Sequence, residues 1–165
     1  MAEKLEARHR GGLASRKVEF SAYDDDVELC FERDWTDGLP VTPPTDERVI
    51  RMLKGTTRRP DEIIGEIPPY LQPCTIEKVA INAVMAGCKP EYMPVLLAAI
   101  EAALEPAFTL HGVLATTYFS GPILIVNGPI AKTIGLNSGI NALGQGHRAN
   151  MTIGRALNLI VRNVG

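Results

Sequence analysis

The chain has 165 residues, a length that fits a single domain whose core needs no disulfide or metal to fold. Its 17 Lys and Arg residues face 19 Asp and Glu residues, and this near-balance argues against binding to nucleic acid or to an anionic membrane surface. Three cysteines without a Cys-x-x-Cys spacing, no secretory signal and no apolar run near the ~20 residues of a membrane helix predict a soluble, cytoplasmic protein.

The N-terminal region is charged and lacks periodicity, so residues 1–15 are predicted to form a flexible tail and residues 16–165 a single domain. Residues 17–20 and 27–31 both alternate apolar and polar side chains around an acidic run, which predicts a β-hairpin.

Residues 34–44 contain a glycine and three prolines and are predicted to be a loop. Trp35, between Asp34 and Asp37, either lines a pocket or subunit interface or anchors a turn to the core. The turn chemistry of Thr36-Asp37-Gly38 favours the anchoring role.

Apolar periodicity predicts helices and strands that interleave along the rest of the chain. The predicted helices cover a segment from Thr42 or Thr45 to Gly55, then residues 75–87, 90–104, 129–134 and 151–161. The predicted strands are residues 61–67, 110–117 and 122–126, the last an apolar run typical of a strand covered on both faces. This order predicts an α/β or α+β fold, a single domain with a small central sheet flanked by helices.

The loop at residues 137–150, NSGINALGQGHRAN, is the predicted binding site. Its glycines and the first turn of the following helix can present backbone N–H groups to a carboxylate or phosphate. His147 and Arg148 place positive charge where the helix dipole disfavours it, and a bound anion would relieve this conflict. The predicted substrate-binding residues are Asn127, Asn137, Ser138, Asn141, Arg148 and Asn150. Alternatively, the polar side chains only satisfy their own backbone.

Three residues are candidates for catalysis: Cys88, His147 and His111. Cys88 is predicted to lie at a helix N-terminus, which would lower the pKa of its thiol, or else to be a small buried residue at a helix corner. His111, on a predicted strand, becomes catalytic only if it faces Cys88 or His147. The spacing of these residues supplies no argument for a metal, and the sequence identifies no cofactor. About 20 Å of helix separates Cys74 from Cys88, which excludes a disulfide between them.

Several segments resemble the companion or C-terminal segment of the UGSC group of (seleno)proteins, over about Asp34 to Gly165. They are WTDGLPVTPPT, AINAVMAGCKPEYMPVLLAAIEA, LHGV, GPILIVNGPI and NSGINALGQGHRANMTIGRALNLI. The Gly-Ser-Cys redox motif that names the group is absent here. The resemblance implies a separate subunit that acts on a small molecule, with any thiol chemistry of that motif located in a partner.

Two functions follow as expectations. The first is an enzyme or enzyme subunit, a lyase or a thiol-dependent oxidoreductase, that acts on a small anionic organic substrate at residues 137–150. The second is a noncatalytic binding or assembly subunit of a homo- or hetero-oligomer. Its interface would be the nearly all-apolar helices at residues 75–87 and 90–104.

Overall fold

The computed structural model describes residues 12–18 and 25–165. The α-helices in these residues are α1 (Asp26–Glu32), α2 (Asp46–Leu53), α3 (Ile76–Ala86), α4 (Met93–Leu104), α5 (Leu110–Ala115), α6 (Pro129–Thr133) and α7 (Arg148–Val164). A 3₁₀ turn, Pro90–Tyr92, precedes α4, and strands β1 (Ile63–Ile67) and β2 (Gln72–Thr75) pair in antiparallel fashion.

Helices α3 and α7 pack on each other and form the centre of the core. The two helices run in opposite directions. Asn163 near the end of α7 donates to Asn82 in the middle of α3 at 2.8 Å, while the Cys88 thiol just beyond α3 donates to the Thr152 carbonyl near the start of α7 at 3.3 Å. Burial of the facing apolar side chains is the main stabilising contribution here.

The predicted helix at residues 75–87 is confirmed as α3. The Thr75 hydroxyl caps it by accepting from the Lys78 N–H group, and Gly87 ends it with φ +85°, a left-handed conformation that glycine adopts without a Cβ clash. The predicted helix at residues 90–104 is confirmed too. The predicted segment begins with a 3₁₀ turn at Pro90–Tyr92 and continues as α4. Pro94 lacks a backbone donor, so a distorted first turn is expected.

The small sheet lies directly before α3. Strand β1 confirms the predicted strand at residues 61–67, and β2 leads into the helix. Helix α4 crosses β1 closely: a Cβ at Gly65 would collide with the Leu104 side chain.

The remaining helix predictions are confirmed with shifted ends. Helix α2 begins after Thr45, and α6 corresponds to residues 129–134. Helix α7 starts three residues earlier than predicted, at Arg148, and continues to Val164. Residues 34–44 contain no helix or strand, as predicted for a loop.

The predicted β-hairpin is wrong at its second strand, because residues 27–31 belong to α1. The Asp25 carboxylate accepts from the N–H groups of Val27 and Glu28, so the acidic run begins a helix rather than forming a hairpin turn. The rest of the predicted hairpin, from residue 19 to 24, lies outside the described residues.

The predicted strand at residues 110–117 is also wrong, because this segment contains α5. Leu110, Val113 and Leu114 have the i, i+3, i+4 spacing of one helix face, which we interpreted as part of a strand. His111 therefore lies on a short helix.

Residues 122–126, here named the unpaired segment, do not form the doubly covered strand that the sequence predicts. Leu124 and Val126 are half-buried against the core, whereas Ile123 and Ile125 are 74% and 82% exposed. This alternation is that of an extended chain. No backbone hydrogen bond from this segment to any described residue is present.

Residues 12–15 differ from the predicted tail because they lie against the domain. Leu13 packs on the core, and the N–H groups of Ala14 and Ser15 donate to the Glu77 carboxylate at 3.0 and 2.7 Å. Glu77 is buried on α3, so these two donors satisfy a carboxylate that has left water. Residues 1–11 of the predicted tail are outside the described residues.

The described residues therefore form a single small α/β domain, and the predicted fold class is confirmed. In the same residues no helix is both long enough and apolar enough to cross a membrane.

Glu77→Gln tests how segment 12–18 is held. The variant replaces one of the two accepting carboxylate oxygens by an NH2 group, which cannot accept, so we expect a loss of about 1–3 kcal/mol in the free energy of unfolding, measured with denaturant. Proteolysis within residues 12–18 should also become faster. The control is Glu66→Gln on exposed β1, which should change neither; equal effects of both variants would contradict this role of Glu77.

Candidate functional site

The loop at residues 137–150 is held against α7 by one side chain, Asn150. Its Oδ1 accepts from the Asn137 N–H group at 2.9 Å, and its Nδ2 donates to the carbonyls of Asn137 at 2.9 Å and Ala142 at 3.0 Å. Because Asn150 is in the first turn of α7, these three bonds fix the loop to the start of the helix.

Two further asparagines stabilise the loop from within. The Asn137 side chain accepts from the Gly139 N–H group and donates to the Ile140 carbonyl, both at 2.9 Å. Asn141, with φ +64°, donates to the Gln145 carbonyl at 2.9 Å. Asn137, Asn141 and Asn150, predicted as substrate-binding residues, therefore bond to the backbone of their own loop. This is the alternative interpretation given from the sequence.

Ser138 and His147 differ from these asparagines. Neither side chain has a hydrogen-bond partner among the described residues. Ser138 is exposed and His147 is half-buried at the N-cap position of α7. Both side chains stay open to a ligand, as do the Gln145 amide and the two terminal nitrogens of Arg148 in the described part of the chain.

Arg148 has a structural contact that the sequence did not predict. Its Nε donates to the Gly87 carbonyl at 2.9 Å, at the end of α3. Because α3 and α7 run in opposite directions, the positive charge that the N-terminus of α7 disfavours is favoured by the C-terminus of α3. A bound anion is therefore not needed to explain the position of Arg148.

Arg148→Ala should lower the free energy of unfolding by about 0.5–1 kcal/mol, since it removes a cation and a donor from the C-terminus of α3. Arg148→Lys keeps the charge and should lose less. Chemical denaturation of both variants measures this. An Arg148→Ala protein as stable as the parent chain would show that the Gly87 contact contributes nothing.

The Cys88 thiol has the surroundings of the second sequence interpretation, a small buried residue at a helix corner, and not those of the first. The 3₁₀ turn separates it from the start of α4, so it lies just beyond the C-terminus of α3 instead of at a helix N-terminus. Burial raises the pKa of Cys88 to about 11, and this effect outweighs the hydrogen bond with Thr152 and the Arg148 charge, which both lower it. The thiol donates to the Thr152 carbonyl at 3.3 Å. Cys88 is thus a protonated, buried thiol at neutral pH.

Iodoacetamide labelling checks this state. Because the pKa of Cys88 is raised to about 11, its alkylation at pH 7 should be much slower than that of free N-acetylcysteine and should increase up to about pH 11. Peptide mass spectrometry distinguishes Cys88 from Cys30 and Cys74, which are also free and buried. Labelling at pH 6 at the rate of a free thiol or faster would contradict the raised pKa.

Tyr92 is a member of this cluster that the sequence analysis missed. It is only 3% exposed, yet its hydroxyl has no hydrogen-bond partner among the described residues. Burial raises the pKa of Tyr92, and the nearby Arg148 charge opposes this. A polar group of a buried residue without a protein partner is open to a water or a ligand. No sequence pattern marks it, because the 3₁₀ turn that carries it packs against α2, much earlier in the chain, and the Arg148 charge comes from α7.

The structure does not connect His111 or Asn127 with this cluster. His111 is exposed on α5, and no hydrogen bond joins it to Cys88 or His147 in the described ranges. Asn127 follows the unpaired segment and lines a groove of about 730 Å³ between that segment and α4. The groove walls are almost entirely apolar.

The loop at residues 34–44 is fixed along α7 by paired charges. Arg155 makes a two-pronged contact with Asp37 at 2.7 and 2.8 Å and lowers the pKa of that carboxyl, while Arg162 pairs with Asp34 at 3.1 Å. Trp35 packs against the core, as expected of an anchor, and also lines a cleft of about 570 Å³ beneath residues 13–18.

The described residues bring together no group of three His, Cys, Asp or Glu side chains that could hold a metal ion. No family model, curated protein or solved structure matches this chain. The resemblance to the UGSC group stays a prediction from the sequence segments.

Proposed function

We propose that the chain is an enzyme subunit that binds a small anionic organic molecule beside Arg148, at the start of α7. The observation that carries the proposal is Tyr92, a residue only 3% exposed whose hydroxyl has no hydrogen-bond partner among the described residues and lies close enough to Arg148 for that charge to act on it. Carboxylates and phosphates accept hydrogen bonds from these two groups.

The three arginines of α7 differ in a way that supports this proposal. Arg155 and Arg162 each pair with an aspartate of the loop at residues 34–44. Arg148 has no carboxylate partner among the described residues, and the Gly87 carbonyl occupies only its Nε. A guanidinium carries five N–H donors, so the two terminal nitrogens of Arg148 remain able to grip an anion.

The start of α7 adds further donors. The first N–H groups of any helix lack partners within the helix, and its dipole favours negative charge. The glycine-rich loop brings Ser138 and His147 to the same end of the helix. In this proposal Arg148 and Tyr92 bind the anion, His147 is the candidate for proton transfer, and Cys88 contributes a neutral thiol. The three buried free cysteines support the proposed location in the reducing cytoplasm.

Inorganic phosphate and acetate are the probes that test the site. Each should raise the melting temperature of the parent chain relative to chloride at equal ionic strength, because a ligand that binds only the folded state stabilises it. Tyr92→Phe should weaken this response about tenfold in apparent Kd without lowering the stability of the ligand-free protein, and Arg148→Lys should weaken it as well.

The matched control is Arg162→Lys, a change of the same type on the same helix in an arginine that already has an aspartate partner. It should respond to the anions as the parent chain does. If neither anion shifts the melting temperature, or if Tyr92→Phe and Arg148→Lys respond like the control, the proposed site is wrong.

A second candidate function is an assembly subunit, and a specific surface favours it. Tyr118 and Phe119, between α5 and the unpaired segment, are 78% and 94% exposed. Ile123 and Ile125 are also largely exposed, and exposed large apolar side chains so close in sequence are of the kind that marks protein interfaces. The helices α3 and α4, which the sequence offered as the interface, are instead largely buried within the domain itself.

A further inference from the structure

The unpaired segment has the properties of a strand without its neighbour. Its side chains alternate between exposed and half-buried, and its backbone N–H and C=O groups have no partner among the described residues. A row of donors and acceptors without partners in the described part of the chain is a template for another strand.

This edge also lacks the features that keep edge strands apart. Residues 106–131 contain no Lys, Arg, Asp or Glu, so no charge repels an approaching chain. Pro122 is the only proline within the segment and stands at its first position, where it removes a single donor at the end of a ladder. The four residues after Pro122 are uncharged and apolar, an edge that is open to pairing with another strand.

We propose that the unpaired segment pairs in antiparallel fashion with the same segment of a second copy of this chain, around a two-fold axis at Leu124. The proposed dimer rests on the second candidate function, the assembly subunit. It names the partner of that subunit and the geometry of the contact. It does not depend on the anion site at Arg148.

The pattern of the segment favours this register. With the axis at Leu124, Ile123 of each copy lies opposite Ile125 of the other, so all four exposed isoleucines pair on one face. Leu124 and Val126 keep their contacts with their own core. A shift of one residue would place exposed isoleucines opposite the half-buried face, which disfavours that register.

The surface that would be covered is large enough for a dimer. Two aromatic rings and two isoleucines with these exposures present on the order of 500 Å² of apolar surface. This approaches the ~800 Å² that each partner buries in a standard interface, before backbone area is added. An uncharged strand gains nothing from a charged partner, whereas a second copy of this chain supplies an equally uncharged strand. Two-fold dimers are also the commonest oligomers.

Ile123→Lys and Ile125→Lys test the pairing, because both side chains are exposed and neither is needed for the fold of one copy. We expect the parent chain to sediment as a dimer and each variant to raise the dimer dissociation constant about tenfold or more. The matched control is Ile140→Lys, since Ile140 is 98% exposed outside the unpaired segment and should leave dimerisation unchanged. Circular dichroism confirms that all three variants are folded.

Cross-linking tests the register independently. Directly opposite Cβ atoms in an antiparallel pair are ~5 Å apart and diagonal ones ~7 Å, so only opposite cysteines form a disulfide readily. Mixing Ile123→Cys chains with Ile125→Cys chains, distinguished by tags of different mass, should give mixed disulfide dimers faster than either variant alone.

The outcomes separate the proposals. A monomer at every concentration overturns the dimer, while the phosphate experiment still decides the anion site. An oligomer that persists in both lysine variants, or cross-linking without the 123–125 preference, overturns strand pairing but leaves the assembly function standing.

Discussion

The contact between α3 and α7 is the constraint on which the rest of this domain depends. Because the helices run in opposite directions, the end of α3 meets the start of α7 and their dipoles compensate each other. The same contact places Arg148, Cys88 and Tyr92 together. Farther along α7, two more arginines hold the loop at residues 34–44. One helix therefore organises both the core and the candidate site.

The sequence predicted the parts of the fold that local patterns encode. Helices α3 and α7 were found because long apolar periodicity and a terminal glycine mark them. Helix α1 was missed because the acidic run before it resembles a turn, although Asp25 acts as its cap. The segment at residues 122–126 was predicted as a covered strand, yet coverage depends on a neighbour that the described residues do not supply.

The candidate site was only partly predictable for the same reason. The sequence marked Arg148 as an unfavourable charge, but its partner Gly87 lies 61 residues away. Of the two interpretations of Cys88, the helix N-terminus was wrong, because the 3₁₀ turn at Pro90–Tyr92 was included in the following helix. Tyr92 carried no signal, since an unpartnered hydroxyl is a property of the packed structure.

The amide pair of Asn82 and Asn163 has a consequence for how this core can vary. Apolar side chains tolerate a small shift of one helix along another, because each side chain can pack against a new apolar neighbour of suitable size. The amide pair cannot slip without leaving the buried Asn82 amide oxygen without the Asn163 donor, at a cost of about 1–3 kcal/mol. The pair thus fixes the alignment of α3 with α7, so that residues around it can be exchanged while Cys88 and Arg148 keep their relative position.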